Sequence, residues 1–258
     1  VKEQLTVTQS LGRVLAADFI ATINVPPADN SAMDGYAFCY ADALKNNFQL
    51  PTSQRIPAGV APTPLEPSTV ARIFTGAEIP AGADTVAMQE NCTEQDGTVT
   101  IGNAVTAGAN IRRQGQDIQS GQTILNAGTK LRAQEMGLLS SIGIKTVEVY
   151  KPLKVAIFST GDELVEPGDS LQPGQIYNSN RATLIGLIQS LGMTVVDLGT
   201  VPDSLEATEA VLKKAAAEGD IILSAGGVSV GDEDYVKSAV ARLGSIDFWK
   251  VAIKPGKP

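Results

Sequence analysis

The sequence predicts a multi-domain α/β chain with a β-rich part: a C-terminal three-layer αβα domain built on a parallel sheet, and a small β domain inserted ahead of it. This rests on three features. After residue 152, apolar strand-like runs alternate with amphipathic segments of helix length, the pattern of βαβ units whose sheet is covered on both faces. From about 50 to 115 the texture is instead short β-rich runs broken by Pro, Gly and Asp-Gly turns. Aromatic residues make up 5% against an apolar fraction of 43%, so the core falls to Val, Ile, Leu and Ala, which suits α/β layers better than an aromatic-rich β-sandwich. At 258 residues there is room for one large domain or two ordinary ones.

In the N-terminal half, "TQSLGRVLAA" (8–17) carries Leu11, Val14 and Leu15 at helical spacing behind Thr8 as N-cap, which predicts a short helix. "DFIATINVPPADN" is rich in β-branched residues and closed by Pro26 and Pro27, so the chain is expected to run extended there. "DNSAMDGYAF" (29–38) then places Asp34 inside an apolar run that reads as a strand. Strand interiors disfavour Asp, and a buried carboxylate without partners is costly. Asp34 reads either as an Asx-type turn helped by Gly35 or as a functional acid. "VARIFTG", "DTVAMQE" and "TVTI" are predicted strands of the small domain, punctuated by "PAGAD" and Asp96-Gly97. "GQTILNAGTKL" predicts a strand pair, "RAQEMGLLSSIG" a helix stopped at Gly143, and "KTVEVYKP" a strand running into a boundary at Pro152.

In the C-terminal half, "LKVAIFSTG" reads as a buried strand, and "RATLIGLIQSLG" as a helix with Leu184, Leu187, Ile188 and Leu191 on one face. "TVVDLG" is the second strand. "SLEATEAVLKKAAAEG" is a helix capped near Asp203 or Ser204 and ended by Gly219, and "DIILSAGG" is the third strand. "DEDYVKSAVARLG" supplies Val236, Val240 and Leu243 to a helix, and "IDFWKVAIKP" is the fourth strand.

Composition excludes several kinds of function. A formal charge of −8 argues against a general nucleic-acid binder, which needs surplus Lys and Arg to neutralise phosphates. No run approaches the roughly 18 consecutive apolar residues of a membrane span, and the first residues lack a basic-then-apolar signal pattern. A cytoplasmic location without a membrane partner is therefore expected. Cys39 and Cys92 stand apart with no CxxC, fit a reducing compartment, and read as small buried hydrophobes. The chain has no histidine, which rules out Ser-His-Asp and Cys-His nucleophile systems, His-ligated zinc and HExxH chemistry. Carboxylates, hydroxyls, Lys, Arg or bound water must carry any proton chemistry, and an oxygen-rich site favours Mg²⁺.

Parallel sheets bind ligands at the carboxyl ends of their strands. There the sequence has "STGDEL", "TVPDS", "SAGGVSVGDED" and "KVAIKPGKP". In the third, Gly226, Gly227 and Gly231 either let backbone approach an anion or form a tight turn whose Asp232 and Glu233 complement a helix N-terminus. The stretch is neither GxGxxG nor a P-loop. Asp162 and Glu163 read equally as a cap and first-turn acid, Asp203 as an N-cap, "KPGKP" as a solvated turn, and Arg112, Arg113 and Asp117 as a surface ion-pair cluster. Lys250 and Lys254 lie four apart on a predicted strand and so share a face.

Together, "PPADNSAMDGYAF", "RIFTGAEIPAGADTVAMQE", "NIRRQGQDI", "IFSTGDEL", "GQIYNSN", "SAGGVSVGDEDY" and "KVAIKPGKP" resemble the molybdopterin molybdenumtransferase (MoeA) family, which is also similar to the E domain of gephyrin. The resemblance implies an elongated multi-domain fold. Residues 1–40 and 116–150 would form an N-terminal and linker domain, 41–115 the small β-rich domain, and 151–258 a molybdopterin-binding-type domain. The family continues beyond the position of Pro258 through the rest of that domain, a Pro-Gly-Asn-Pro-type loop and a C-terminal β domain, so the sheet is expected to be incomplete here.

The implied activity is insertion of molybdenum from molybdate into adenylylated molybdopterin with release of AMP, assisted by a divalent cation such as Mg²⁺. The implied partners are a second copy of the chain, with each site between the βαβ domain of one subunit and the β-rich region of the other, and the adenylylating enzyme of the pathway. By motif, the family's site acids fall on Asp34, Asp117, Glu163, Asp203 and Asp234, with Asp34, Glu163 and Asp234 as metal ligands. Its cations fall on Arg112, Lys250 and Lys254, a hydroxyl on Thr75, and the substrate cradle on Ser159, Gly161, Gly226, Gly227, Ser229 and Gly231. Ala225 departs from the second hydroxyl residue the family often has before the glycine pair. A gephyrin-like scaffold and a nucleotide-processing or adenylylating enzyme on a related domain are the alternatives, and "SAMDGYA" speaks against the last, whose stand-alone forms resemble only the part after 152.

Overall fold

A computed structural model describes residues 1–102, 105–226 and 235–247. The chain divides into two compact units, Gln4–Val149, and Tyr150–Pro258 together with Val1–Glu3.

The first unit contains a six-stranded sheet in the order Thr85–Met88, Gly35–Phe38, Val70–Ile73, Gln49–Ile56, Thr98–Ile101, Cys92–Gln95. Gln49–Ile56 and Val70–Ile73 run parallel, and the other described pairings are antiparallel. The period-2 alternation of the sequence sends Tyr36, Phe38, Leu50, Val70 and Val99 to one face and Ala37, Ile56, Ala71, Ile73 and Val86 to the other, and both faces are buried. Asp96 and Gly97 turn the last hairpin, both with positive φ, as a two-residue loop of matching twist requires. A second core gathers Leu15, Leu131, Leu139, Val147 and Val149 under the helix Ala133–Ser141, which ends as predicted before Gly143 at φ +79°.

Three expectations for this unit are corrected. The predicted helix over 8–17 is a single 3-10 turn, Val7–Gln9, with no Thr8 cap. Beyond it the backbone pairs outward: Gly12 N–H donates to Leu131 O, Leu15 N–H to Thr129 O, and Ala16 N–H to Glu148 O. Long-range pairing thus overrides the helical spacing of Leu11, Val14 and Leu15. "GQTILNAGTKL" does not pair with itself, because Thr123–Leu125 pairs with Phe19–Ile20, and Lys130 bridges to Val14. Asp34 is not inside a strand; the strand begins at Gly35, and the carboxylate stands just before its first residue. Gly35 is required there, since a Cβ would lie 1.8 Å from the Ala87 carbonyl oxygen.

The second unit has a sheet of three described parallel strands, with Lys154–Thr160 between Thr194–Val201 and Ile221–Ala225, and a separate parallel pair, Leu164–Val165 with Ile176–Tyr177. Val155 and Ile157 face the helix Ser179–Ser190 through Ile188, while Phe158 faces the helices Leu205–Glu218 and Tyr235–Leu243 through Val211, Leu212 and Ala239. This is the predicted three-layer arrangement. Ser204 rather than Asp203 caps the second of these helices, its Oγ accepting from Ala207 N–H at 3.2 Å. The predicted stripe of the first helix is rotated: Leu184, Ile185 and Ile188 pack, whereas Leu187 and Leu191 are 55% and 64% exposed. Leu243 is likewise exposed, and Val236 and Ala239 carry the burial of its helix. The predicted fourth strand, "IDFWKVAIKP", falls largely outside the described residues.

Candidate functional site

The first unit gathers four of the sequence-predicted residues around one short segment, Asn30–Asp34. Where Val70–Ile73 ends, a turn with Gly76 at φ +82° presents Thr75, and Asp34 Oδ1 accepts both its N–H and its hydroxyl at 2.7 Å. These two bonds, the backbone one first, hold the Asp34 carboxyl below the ordinary 3.8, and the charge of Arg72 adds to them. The Asp34 carbonyl accepts from Gln89 N–H at 2.9 Å. The Asp34 Oδ2 has no hydrogen-bond partner among the described residues.

The segment before Asp34 is clamped on both sides. Ser31 exchanges backbone bonds with Gly76 and Ala77, Ala32 N–H donates to Asn110 O, and Ile111 and Arg112 pair with Ser31 and Asn30. Arg112 in turn forms a close ion pair with Asp117, both side chains being largely open to solvent. Asp29 accepts Gln114 N–H at 2.8 Å and Arg113 Nη1 at 2.5 Å, which holds its carboxyl below 3.8, the backbone donor first. The bland reading of 112–117 as surface pairing is therefore partly right, yet these pairs also fix the loop that flanks Asp34.

In the second unit, a cavity of about 180 Å³ opens at the carboxyl ends of Lys154–Thr160 and Ile221–Ala225. Ser159, Thr160, Glu163, Asn178, Ser179, Asn180 and Gly226 are among its lining. Ser159 is 2% exposed, and its hydroxyl has no protein partner among the described residues. Gly161 and Gly226 have φ of +146° and +102°. A Cβ at Gly226 would meet the Thr160 backbone O at 2.5 Å, and at Gly161 the positive φ itself favours glycine, so both turns need glycine. Asp203 does not line the cavity. It pairs with Asp162, each carboxylate accepting the other's backbone N–H at 3.2–3.3 Å across two strand ends.

Thr160, Asn178, Ser179 and Asn180 were not singled out from the sequence. The available signal was Asn178 ahead of an apolar-periodic run, an N-cap pattern. Asn178 is buried, accepts Arg181 N–H at 3.2 Å and donates to Thr200 Oγ1 at 3.0 Å. Arg181 grips both Asp197 and Glu166 at 2.7 Å, which holds Asp197 below the ordinary 3.8. Together these bonds fix the helix start that borders the cavity. Gly227, Ser229, Gly231, Asp234, Lys250 and Lys254 lie outside the described residues.

Among the described residues no three Asp, Glu, Cys or His side chains gather to hold a metal. Asp34 and Glu163 nonetheless fit Mg²⁺ as single carboxylate donors, because that ion keeps several waters and takes one or two carboxylates together with substrate phosphate oxygens. Among the same residues no helix is long and apolar enough to cross a membrane.

Comparison with known proteins bears on both units. Residues 1–143 match the family described as MoeA N-terminal region (domain I and II), and residues 156–258 match the probable molybdopterin binding domain. A molybdopterin molybdenumtransferase of Haemophilus influenzae is 44% identical over 258 residues, covering 99% of this chain and 64% of that protein. Another from a Nostoc species is 43% identical over 253 residues, covering 96% and 58%. A crystal structure of the molybdopterin biosynthesis MoeA protein from Pyrococcus horikosii superposes with a TM-score of 0.86 at 33% identity, covering 100% of this chain and 66% of that one. The chain thus spans 58–66% of the length of these relatives.

Proposed function

Because this chain belongs to the MoeA family, we propose that it acts in molybdenum cofactor biosynthesis as a molybdopterin molybdenumtransferase, moving molybdenum from molybdate into adenylylated molybdopterin with release of AMP. The observation that carries this reading is Asp34: a carboxylate kept ionised by two Thr75 donors, with one oxygen left open, in a chain that has no histidine. Such a carboxylate can hold the cation that neutralises phosphate oxygens in phosphoryl chemistry.

Asp34 in the first unit, and Glu163 with Asp234 in the second, would each offer carboxylate oxygens to Mg²⁺, which when bound neutralises phosphate oxygens and lowers the pKa of its water. Thr75 keeps Asp34 in one orientation. Arg112, itself oriented by Asp117, presents a planar fork to an oxyanion. In the cavity, the Ser159 hydroxyl donates to a substrate oxygen and Gly226 brings backbone close to it, with Gly161, Gly227, Ser229 and Gly231 assigned to the same cradle by motif alone. Lys250 and Lys254 serve as point charges for molybdate or the pterin phosphate. Asp203 acts through its pairing with Asp162, shaping the rim.

The reading includes a homodimer, a contact with the adenylylating enzyme that supplies the substrate, and a cytoplasmic location. It also includes division into 1–40 with 116–150, 41–115, and 151–258. The test uses the full-length protein with adenylylated molybdopterin, molybdate and Mg²⁺. AMP release dependent on all three, together with a product that activates a cofactor-free molybdoenzyme, is expected. Absence of AMP release with all three present would contradict the reading.

A further inference from the structure

One end of the six-stranded sheet carries two guanidiniums that form no ion pair among the described residues. Arg55 and Arg72 are direct partners on the neighbouring parallel strands Gln49–Ile56 and Val70–Ile73. Both lie over the ring of Phe74, 4.6 and 4.7 Å from its centroid. Arg72 also lies 5.2 Å from the Tyr36 centroid and donates to the Gly35 carbonyl at 2.9 Å and to Gln89 Oε1 at 2.6 Å.

Among the described residues neither Arg55 nor Arg72 is in an ion pair, whereas Arg112, Arg113, Arg132, Arg181 and Arg242 all are. In a chain with 28 acidic and 20 basic residues, two neighbouring arginines outside any ion pair go against the overall balance, and Asp34, the carboxyl whose acidity the Arg72 charge strengthens, bonds Thr75 instead. Glu94 is engaged by the Tyr36 hydroxyl at 2.8 Å.

Stacking fixes the plane of a guanidinium and leaves its N–H edge free to bond, the preorganised state in which arginine binds oxyanions. Arg72 is tied to the Gly35 carbonyl and to Gln89, so its charge is held in place. Phe74, the shared floor, directly precedes Thr75, whose N–H and hydroxyl hold Asp34.

We propose that Arg55 and Arg72 form a docking pair for a tetrahedral oxyanion beside Asp34, with exposed Arg55 giving a bidentate grip and anchored Arg72 the fixed charge. The pair deepens the function proposed above, and rests on it for the identity of the anion, either the phosphoryl group carried by AMP or molybdate.

The test is calorimetric titration of the full-length protein with AMP and, separately, with molybdate, at low and raised salt. Arg55→Ala is expected to weaken one of them about tenfold or more, and to flatten its salt dependence, as loss of a charge-assisted bond predicts. Arg55→Lys should recover part of the affinity. Loss confined to AMP identifies the phosphoryl group, and loss confined to molybdate identifies the metal oxyanion. Wild-type affinity for both in Arg55→Ala and in Arg72→Gln, or no binding of either anion by the wild-type protein, overturns the pair. Because binding is read without turnover, an inactive protein that still shows Arg55-dependent binding rejects the enzymatic reading and keeps the docking pair. An active protein whose Arg55→Ala form binds normally does the reverse.

Discussion

The sheet unit around Asp34 and the parallel-sheet unit around Ser159 place polar groups in opposite ways. Asp34 is held in advance: Thr75 donates two bonds to one oxygen, and the flanking backbone is laced to two other segments. Ser159 is equally fixed in position by a buried strand, yet its hydroxyl has no protein partner among the described residues and opens on a cavity of about 180 Å³. One region sets the direction of a charge and the other leaves donors for something to arrive. Substitutions in the first should therefore appear mainly as lost order or lost chemistry, and those in the second as lost binding.

The largest expected effect tests whether the two units hold themselves up separately. Phe38 is 0% exposed in the sheet core, and Phe38→Ala is expected to cost about 3–5 kcal/mol. Hydrogen exchange should then quicken across 35–38 and 70–73 while amides in 154–160 stay protected; equal loss in both would break the contrast. Next is Gly226→Ala, where a Cβ would press on Thr160 O at 2.5 Å with φ at +102°. Its expected cost is about 1–3 kcal/mol by denaturant unfolding, with weaker pterin binding, and unchanged values in both measurements would show that the strand ends are not tightly set. A smaller loss, about 1 kcal/mol, is expected for Ser204→Ala through its helix cap, confined to exchange rates in 205–218.

The smallest effect concerns acid. Arg132 bonds Glu135 and, with its own N–H, lowers that carboxyl to about 2 from an ordinary 4.5. Since the folded-state value is the lower one, the interaction contributes fully above about pH 4.5 and fades as pH falls towards 2. Glu135→Gln should flatten the stability profile in that window and leave the neutral-pH slope alone. An unchanged acid limb would show that the pair contributes nothing.

Much of the architecture was legible because its signals are periodic. The alternation in "GYAF" and "VARI", the Asp96-Gly97 turn and the capped helix after Ser204 each form as their local chemistry dictates. The 8–17 segment misled because its helical spacing was overruled by backbone partners at 129, 131 and 148, more than a hundred residues away. Asp34 looked anomalous only while the strand start was uncertain by one residue. Of the candidate site, motif resemblance pointed to Asp34, Thr75, Ser159 and Glu163 by role, while Asn178 stood inside the quoted "GQIYNSN" with no role of its own, because that role depends on Thr200 and Arg181 meeting it in three dimensions. The stacked arginines were equally invisible, since Arg55 and Arg72 become neighbours only through the parallel register of their strands.

Asp34→Asn changes one oxygen for nitrogen and keeps the shape of the side chain, so it separates charge from structure. With the full-length protein, adenylylated molybdopterin, molybdate and Mg²⁺, single-turnover AMP release is expected to fall by about a hundredfold or more, with the unfolding midpoint little changed, in line with loss of a preorganised charge. AMP release at the wild-type rate from a folded Asp34→Asn protein would contradict the role assigned to that carboxylate.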